Sequence, residues 1–151
     1  MSQKTSSLSE LVNVLDDGIA FYDEALLRIT NPIYTDVFER MRDLKTGIAA
    51  DINKEIILEA EPAQKDGTMI GSIRLNYADA VANLADHPRH SFVEQLVAQE
   101  ERVLETFLSA SSSDPSERVR ELAGLYLPKV QNMYKEISKL KDFSALQVNN
   151  L

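Results

Sequence analysis

The chain has 151 residues, 44% of them hydrophobic, which suits one domain with a real core and leaves little for a linker or a second domain. It contains no cysteine, which excludes disulfides, thiolate metal sites and a cysteine nucleophile. Its formal net charge of −8, with no basic cluster to offset it, opposes a polyphosphate backbone and so a nucleic-acid partner.

The start, MSQKTSSLSELV, lacks the uninterrupted apolar stretch of a signal peptide. No later run approaches the ~20 apolar residues of a membrane span, so the expectation is a cytoplasmic protein with no membrane partner.

Apolar residues recur at helical spacing throughout. Ser7 with Glu10 makes a capping-box pattern ahead of Leu11, Leu15, Tyr22, Leu26 and Ile29, which predicts a first helix over about residues 8–30. Asn31-Pro32 supplies an N-cap and a first-turn proline, and Tyr34, Phe38, Met41, Ile48, Ile52 and Ile56 carry a second helix over about 33–60. After a break from Glu61-Pro62 to Asp66-Gly67, residues Ile70, Ile73, Tyr77, Val81 and Leu84 mark a short third helix, about 68–85. Pro88 opens a fourth, about 88–110. Ser111-Ser112-Ser113 reads as a turn, and Asp114-Pro115 with Glu117 as the start of a fifth helix, about 115–141. The tail, residues 142–151, has no period and is expected to be loosely held. Within the second helix Gly47 points to close helix approach, and within the fifth Pro128 points to a kink that Gly124 eases.

No stretch alternates as a strand does, so the fold class is all-α. The short third helix lies in a long connection, whereas the other two connections are a few residues each. Two antiparallel hairpins joined by one long crossover make a ferritin-like four-helix bundle with a short extra helix in the crossover; a plain up-down bundle is the alternative. The expectation is a single domain, 1–151, with its core over about 8–141. The amphipathic third helix is better placed to cover its own bundle than to meet a partner.

Glu100 is the residue this reading turns on. Phe92, Val93, Leu96, Val97, Val103, Leu104, Phe107 and Leu108 define one helix face whose mean direction lies within about 10° of Glu100. A buried carboxylate is costly unless paired, so it belongs to a structural ion pair or to a site. A turn centred near 112–113 sets Tyr126 level with Glu100, and Lys45 deviates by about 35° from the apolar face of its helix at a similar level. The expectation is a buried polar cluster of Glu100, Lys45, Tyr126 and Tyr22. Two other readings stay open: the Lys45 stem can carry its ammonium to water, and Glu100 can be protonated and donate to the Gly124 carbonyl that Pro128 leaves without an amide partner.

A di-iron centre in such a bundle needs one Glu from each of two helices and Glu-x-x-His from each of the others. The inward positions of the first helix, Leu15, Gly18, Tyr22 and Ala25, offer no carboxylate, and neither Glu39-to-Arg42 nor Gln131-to-Tyr134 contains a His. No metal site and no cofactor are expected. The only histidines, His87 and His90, lie beside Pro88 and are the one weak zinc candidate, with Asp86. The acidic pairs Asp16-Asp17 and Asp23-Glu24 read as solvated surface, and no phosphate loop, Ser-His-Asp pattern or nucleophile elbow is present.

The runs LVNVLDDGIAFYDEAL, FERMRDLKTGIAADI, QLVAQEERVLETF and LPKVQNMYKEISKL resemble a bacterial family of small ferritin-like four-helix-bundle proteins of unassigned function, over about residues 8–141. The most recognisable positions are Asp17-Gly18, Ala25 and the glutamate at 100. Tyr134 stands where relatives often carry a His in the last helix, which counts against an inherited metal site. The resemblance implies a fold more than an activity, and the function expected is that of a non-catalytic bundle acting through protein contacts, as a homo-oligomer or with a protein partner. The alternatives are a degenerate di-iron-type oxidoreductase or metal store, and a small apolar ligand held between Tyr22 and Tyr126.

Overall fold

The computed structural model describes residues 3–58 and 88–149. They form four α-helices: α1 (Gln3–Arg28), α2 (Pro32–Leu58), α3 (Pro88–Ser113) and α4 (Glu117–Asn149). These are the predicted first, second, fourth and fifth helices. The predicted third helix, about 68–85, and the break before it lie outside the described residues. No described residue is in a strand.

Each helix forms because its apolar residues fall on one stripe that another helix can cover. Leu8, Leu11, Leu15 and Tyr22 come from α1; Phe38, Met41, Ile48 and Ile52 from α2; Phe92, Leu96, Val103 and Phe107 from α3; Val119, Val130, Met133 and Ile137 from α4. All are essentially dry. Helix α1 packs on α2 and α3, and α4 packs on α3 and more thinly on α2, so the four form a closed ring around one core.

The helix ends differ from the sequence reading in instructive ways. α1 begins at Gln3, so Ser7 and Glu10 lie inside it and not at its start. Asn31 caps α2 as expected: its Oδ1 accepts from the Ile33 amide at 3.0 Å, and its carbonyl accepts from the amides of Tyr34 and Thr35.

The serine run does not break α3. The hydroxyls of Ser111 and Ser112 donate to the Leu108 carbonyl, and that of Ser113 to the Ser109 carbonyl, at 2.9–3.0 Å. Bonding back to the preceding turn, these hydroxyls share carbonyls that the helix itself uses, and the helix runs on to Ser113.

Asp114 is not the N-cap of α4. It accepts the Ser116 amide in a local turn, and Ser116 caps the helix instead: its Oγ accepts from the Val119 amide at 3.3 Å and its carbonyl from the Arg120 amide. The connection therefore sits later in the chain than 112–113. Ser111 faces Gly124 and His90 bonds Ser144, which centres the pairing of α3 with α4 about five residues further on.

Of the tail expected to be loose, residues 142–149 are helical. α4 runs through Pro128 and on to Asn149, and Ser144 is buried, with Tyr34 donating to Gln147 Oε1 at 3.0 Å and stacking near Phe143. Its fastenings are polar and aromatic, which an apolar period does not register.

Gly47 is a further correction. It is exposed, and a β-carbon built on it meets nothing within 4 Å, so none of the described helices approaches there. Gly47→Ala should therefore raise stability by about 1 kcal/mol through helix propensity alone. Urea unfolding checks this, and a loss of stability would mean that the position is packed after all.

Candidate functional site

Three helices meet at Glu100. It sits midway along α3 with its side chain fully buried. Lys45 of α2 donates from Nζ to Glu100 Oε1 at 2.6 Å, and Tyr22 of α1 donates from its hydroxyl to Oε2 at 2.6 Å. Lys45 and Tyr22 are themselves at 0% exposure. Both carboxylate oxygens thus receive a short bond, the geometry in which such bonds are strongest.

The route by which Lys45 enters the core is set by Gly18. A β-carbon at that position would stand 3.0 Å from Lys45 Cε, 3.1 Å from Cδ and 3.5 Å from Nζ. Only the missing side chain leaves a channel on α1 for the lysine stem. The ammonium therefore goes to Glu100 and not along the surface to water, and the Gly124 carbonyl has no part in holding the carboxylate.

The Tyr22 ring packs 5.9 Å from Phe38, which in turn neighbours Tyr34. Burial pushes the Tyr22 phenol well above its ordinary range, and the negative charge of Glu100 and the bond donated to it push the same way.

Tyr126 is not part of the cluster. It lies partly exposed near the surface and donates to Asp51 Oδ2 at 2.9 Å. The later centre of the α3–α4 pairing is the reason: it moves the residue level with Glu100 about nine positions beyond Tyr126, or about 13 Å along the helix. Tyr22 and Tyr126 therefore do not face each other across a shared ligand space.

Beside the cluster, α1 and α3 are tied by a residue the apolar stripe does not single out. Gln99 is buried; its amide donates to the Val14 carbonyl at 3.3 Å and its Oε1 accepts from Arg102 at 3.1 Å. The only sequence signal was its place next to Glu100. Asp16 and Asp17, read as solvated, are half-buried, and burial raises both carboxyls; for Asp17 the Arg102 charge opposes this and Asp16 adds to it.

His90 lies at the opposite end of α3. Its Nδ1 lies 2.6 Å from Ser144 Oγ, which also lies 2.9 Å from the Lys141 carbonyl. Nε2 faces Glu94 at 3.6 Å. His87 and Asp86 lie outside the described residues. Among the described residues, no three His, Asp or Glu side chains gather as a metal ion needs.

Two open grooves mark the ends of the bundle. One, of about 450 Å³, is lined by Glu10, Arg102, Glu105, Ser109 and Asp114 among others; the second, of about 340 Å³, by Arg28, Ile29, Thr30, Asn31 and Arg89. Glu100, Lys45 and Tyr22 line neither. None of the described helices is long and apolar enough to cross a membrane.

Set beside known proteins, residues 3–113, the span that holds α1, α2, α3 and the whole cluster, match the family described as Domain of unknown function (DUF2383). The chain belongs to this family. No curated protein and no solved structure matches it. Membership places all three cluster residues inside the matched span and leaves α4 beyond it.

Two outcomes follow from this geometry. Glu100→Ala should destabilise the fold by about 3–5 kcal/mol, because Lys45 is left as an unpaired buried charge, and Lys45→Met should be harmful for the converse reason. Gly18→Ala should also cost stability although alanine favours helix, since its methyl meets a lysine stem held at both ends. Chemical denaturation of the three variants tests them together; a neutral Lys45→Met would sink the ion pair.

The second outcome concerns alkali. Tyr22 keeps its proton in the fold at a pH where an unfolded phenol, near 10.0, has lost it. The folded state then binds more protons, so the Tyr22 contribution is present below about pH 10 and is lost as pH rises beyond it. Tyr22→Phe should flatten the alkaline fall in stability more than Tyr126→Phe does, measured by melting temperature from pH 9 upward.

Proposed function

We propose that this protein is a ferritin-like four-helix bundle that works without catalysis, through protein contacts, with a lysine–glutamate–tyrosine cluster standing where a metal-carboxylate bundle would hold its ions. The observation that carries this reading is the state of Glu100. Both of its oxygens are already taken, by the Lys45 ammonium and the Tyr22 hydroxyl, in a site without exposure. A metal ion would have to displace a buried cation and a phenol that Gly18 and Phe38 hold in place.

The topology is supported by pairs of residues that run in opposite directions along neighbouring helices. Gly18 meets Lys45 and Tyr22 meets Phe38 between α1 and α2; Ser111 meets Gly124 and His90 meets Ser144 between α3 and α4. Phe21 meets Phe92 and Val14 meets Gln99 between α1 and α3. Short connections within each pair and a long stretch between α2 and α3 are what two antiparallel hairpins with a crossover require.

Contact with other chains is favoured by large apolar side chains that the bundle leaves uncovered, among them Leu27 at 78% exposure, Leu125 at 64% and Leu146 at 62%. A homo-oligomer in a bacterial cytoplasm is the setting this reading expects. The competing reading is a metal store or di-iron-type oxidoreductase whose ligands come partly from a second copy.

Elemental analysis of the purified protein separates the two. The expected result is iron and zinc far below one ion per chain, with light scattering showing an assembly larger than a monomer. Stoichiometric metal that disappears in Glu100→Ala would replace the first reading with the second.

A further inference from the structure

Lys45 and Glu100 share more than an ion pair's geometry, and the inference that follows goes beyond the reading above and does not depend on it. An amine and a carboxyl group 2.6 Å apart, both without exposure, have no water between them and little freedom to separate. The lysine stem is confined along Gly18, and the carboxyl is fixed at its second oxygen by Tyr22. Held reactants of this kind have already lost the translational and rotational freedom that a bimolecular reaction must give up.

We propose that Lys45 and Glu100 condense into an internal amide crosslink between α2 and α3. Nζ bonds to Cδ of Glu100 and the bond from Cδ to Oε1 breaks. Oε1 leaves as water, taking two of the three ammonium protons; the third remains on the amide nitrogen. Nothing is oxidised or reduced and no co-reactant is consumed.

Each member of the cluster has a part in that step. Passing one proton from Nζ to Oε1 gives a neutral amine and a neutral acid, the forms that react. As Nζ adds to Cδ, negative charge builds on Oε2, where the Tyr22 hydroxyl already donates at 2.6 Å. A donor aimed at that oxygen in a dry site is the arrangement that stabilises an acyl-transfer oxyanion. The burial that brings the groups together also opposes the reverse reaction, because hydrolysis needs a water at Cδ. The product removes two ionisable groups from the core and fastens α2 to α3 across the connecting stretch between them.

Mass spectrometry of the full chain decides the matter. The denatured protein should be lighter than its sequence by one water. Trypsin should fail to cut after Lys45, releasing residues 43–54 joined to residues 90–102 as one branched peptide. Lys45→Met and Glu100→Met should have their full sequence mass, and Tyr22→Phe, once shown to be folded by circular dichroism, should carry a smaller crosslinked share at equal age. Full mass in the folded wild-type protein after prolonged incubation, with residues 90–102 recovered as a free peptide, overturns the proposal. So does a water loss that maps to Asp17-Gly18 or Asp66-Gly67, where cyclisation of the aspartate gives the same change of mass. An unchanged crosslinked share in Tyr22→Phe overturns the role of the phenol.

Discussion

A carboxylate in the middle of an apolar bundle is the constraint around which the rest of this structure is arranged. Unpaired, Glu100 would cost several kcal/mol, and no single neighbouring helix can satisfy both of its oxygens. The cation comes from α2 and the phenol from α1, so three helices must reach the same level together. A slip of one turn between any two of them, about 5.4 Å, would leave a charge or a hydroxyl buried without a partner. Apolar stripes alone tolerate such slips far better, since one aliphatic contact replaces another. The cluster fixes the register that the hydrophobic core leaves loose.

That arrangement depends on small local choices. Gly18 and Gly47 occupy comparable mid-helix positions, yet one is the channel for a lysine stem and the other is exposed among the described residues. The serines at the end of α3 act with similar indirectness. They bond back onto Leu108 and Ser109 inside a helix that runs past its expected end, and with Ser116 as the next cap the later connection sets which residues of α4 lie beside which residues of α3.

How much of this the sequence shows can be told residue by residue. The four helices are visible because their apolar residues repeat at helical spacing over many turns, and Glu100 is visible because it interrupts such a stripe. Lys45 could be placed near it from angle and level, and Tyr22 from its inward position on the first helix. Tyr126 could not, because its level depended on a turn centre, and Ser111-Ser112-Ser113 looks the same whether its hydroxyls face water or the preceding carbonyls. Gly47 misled for a related reason: a glycine does not state which neighbour, if any, comes close. The last eight residues of α4 escaped because Ser144 and Gln147 are tied to other helices by hydrogen bonds, which have no period.

The ring of helices is not equally fastened on all sides. Between α2 and α4 the contacts are thin, and the links that cross include the surface pairs Arg40 with Glu136, Arg118 with Glu55, and Tyr126 with Asp51, besides the part-buried bond from Tyr34 to Gln147. Exposed charge pairs weaken as salt is added, because counter-ions screen them within about 10 Å at ordinary ionic strength, whereas the Lys45–Glu100 pair is shielded from those ions by its burial. Salt therefore weakens the exposed pairs Arg40–Glu136 and Arg118–Glu55 between α2 and α4, and Arg42–Asp23 between α1 and α2, while the Lys45–Glu100 pair at the centre keeps its strength.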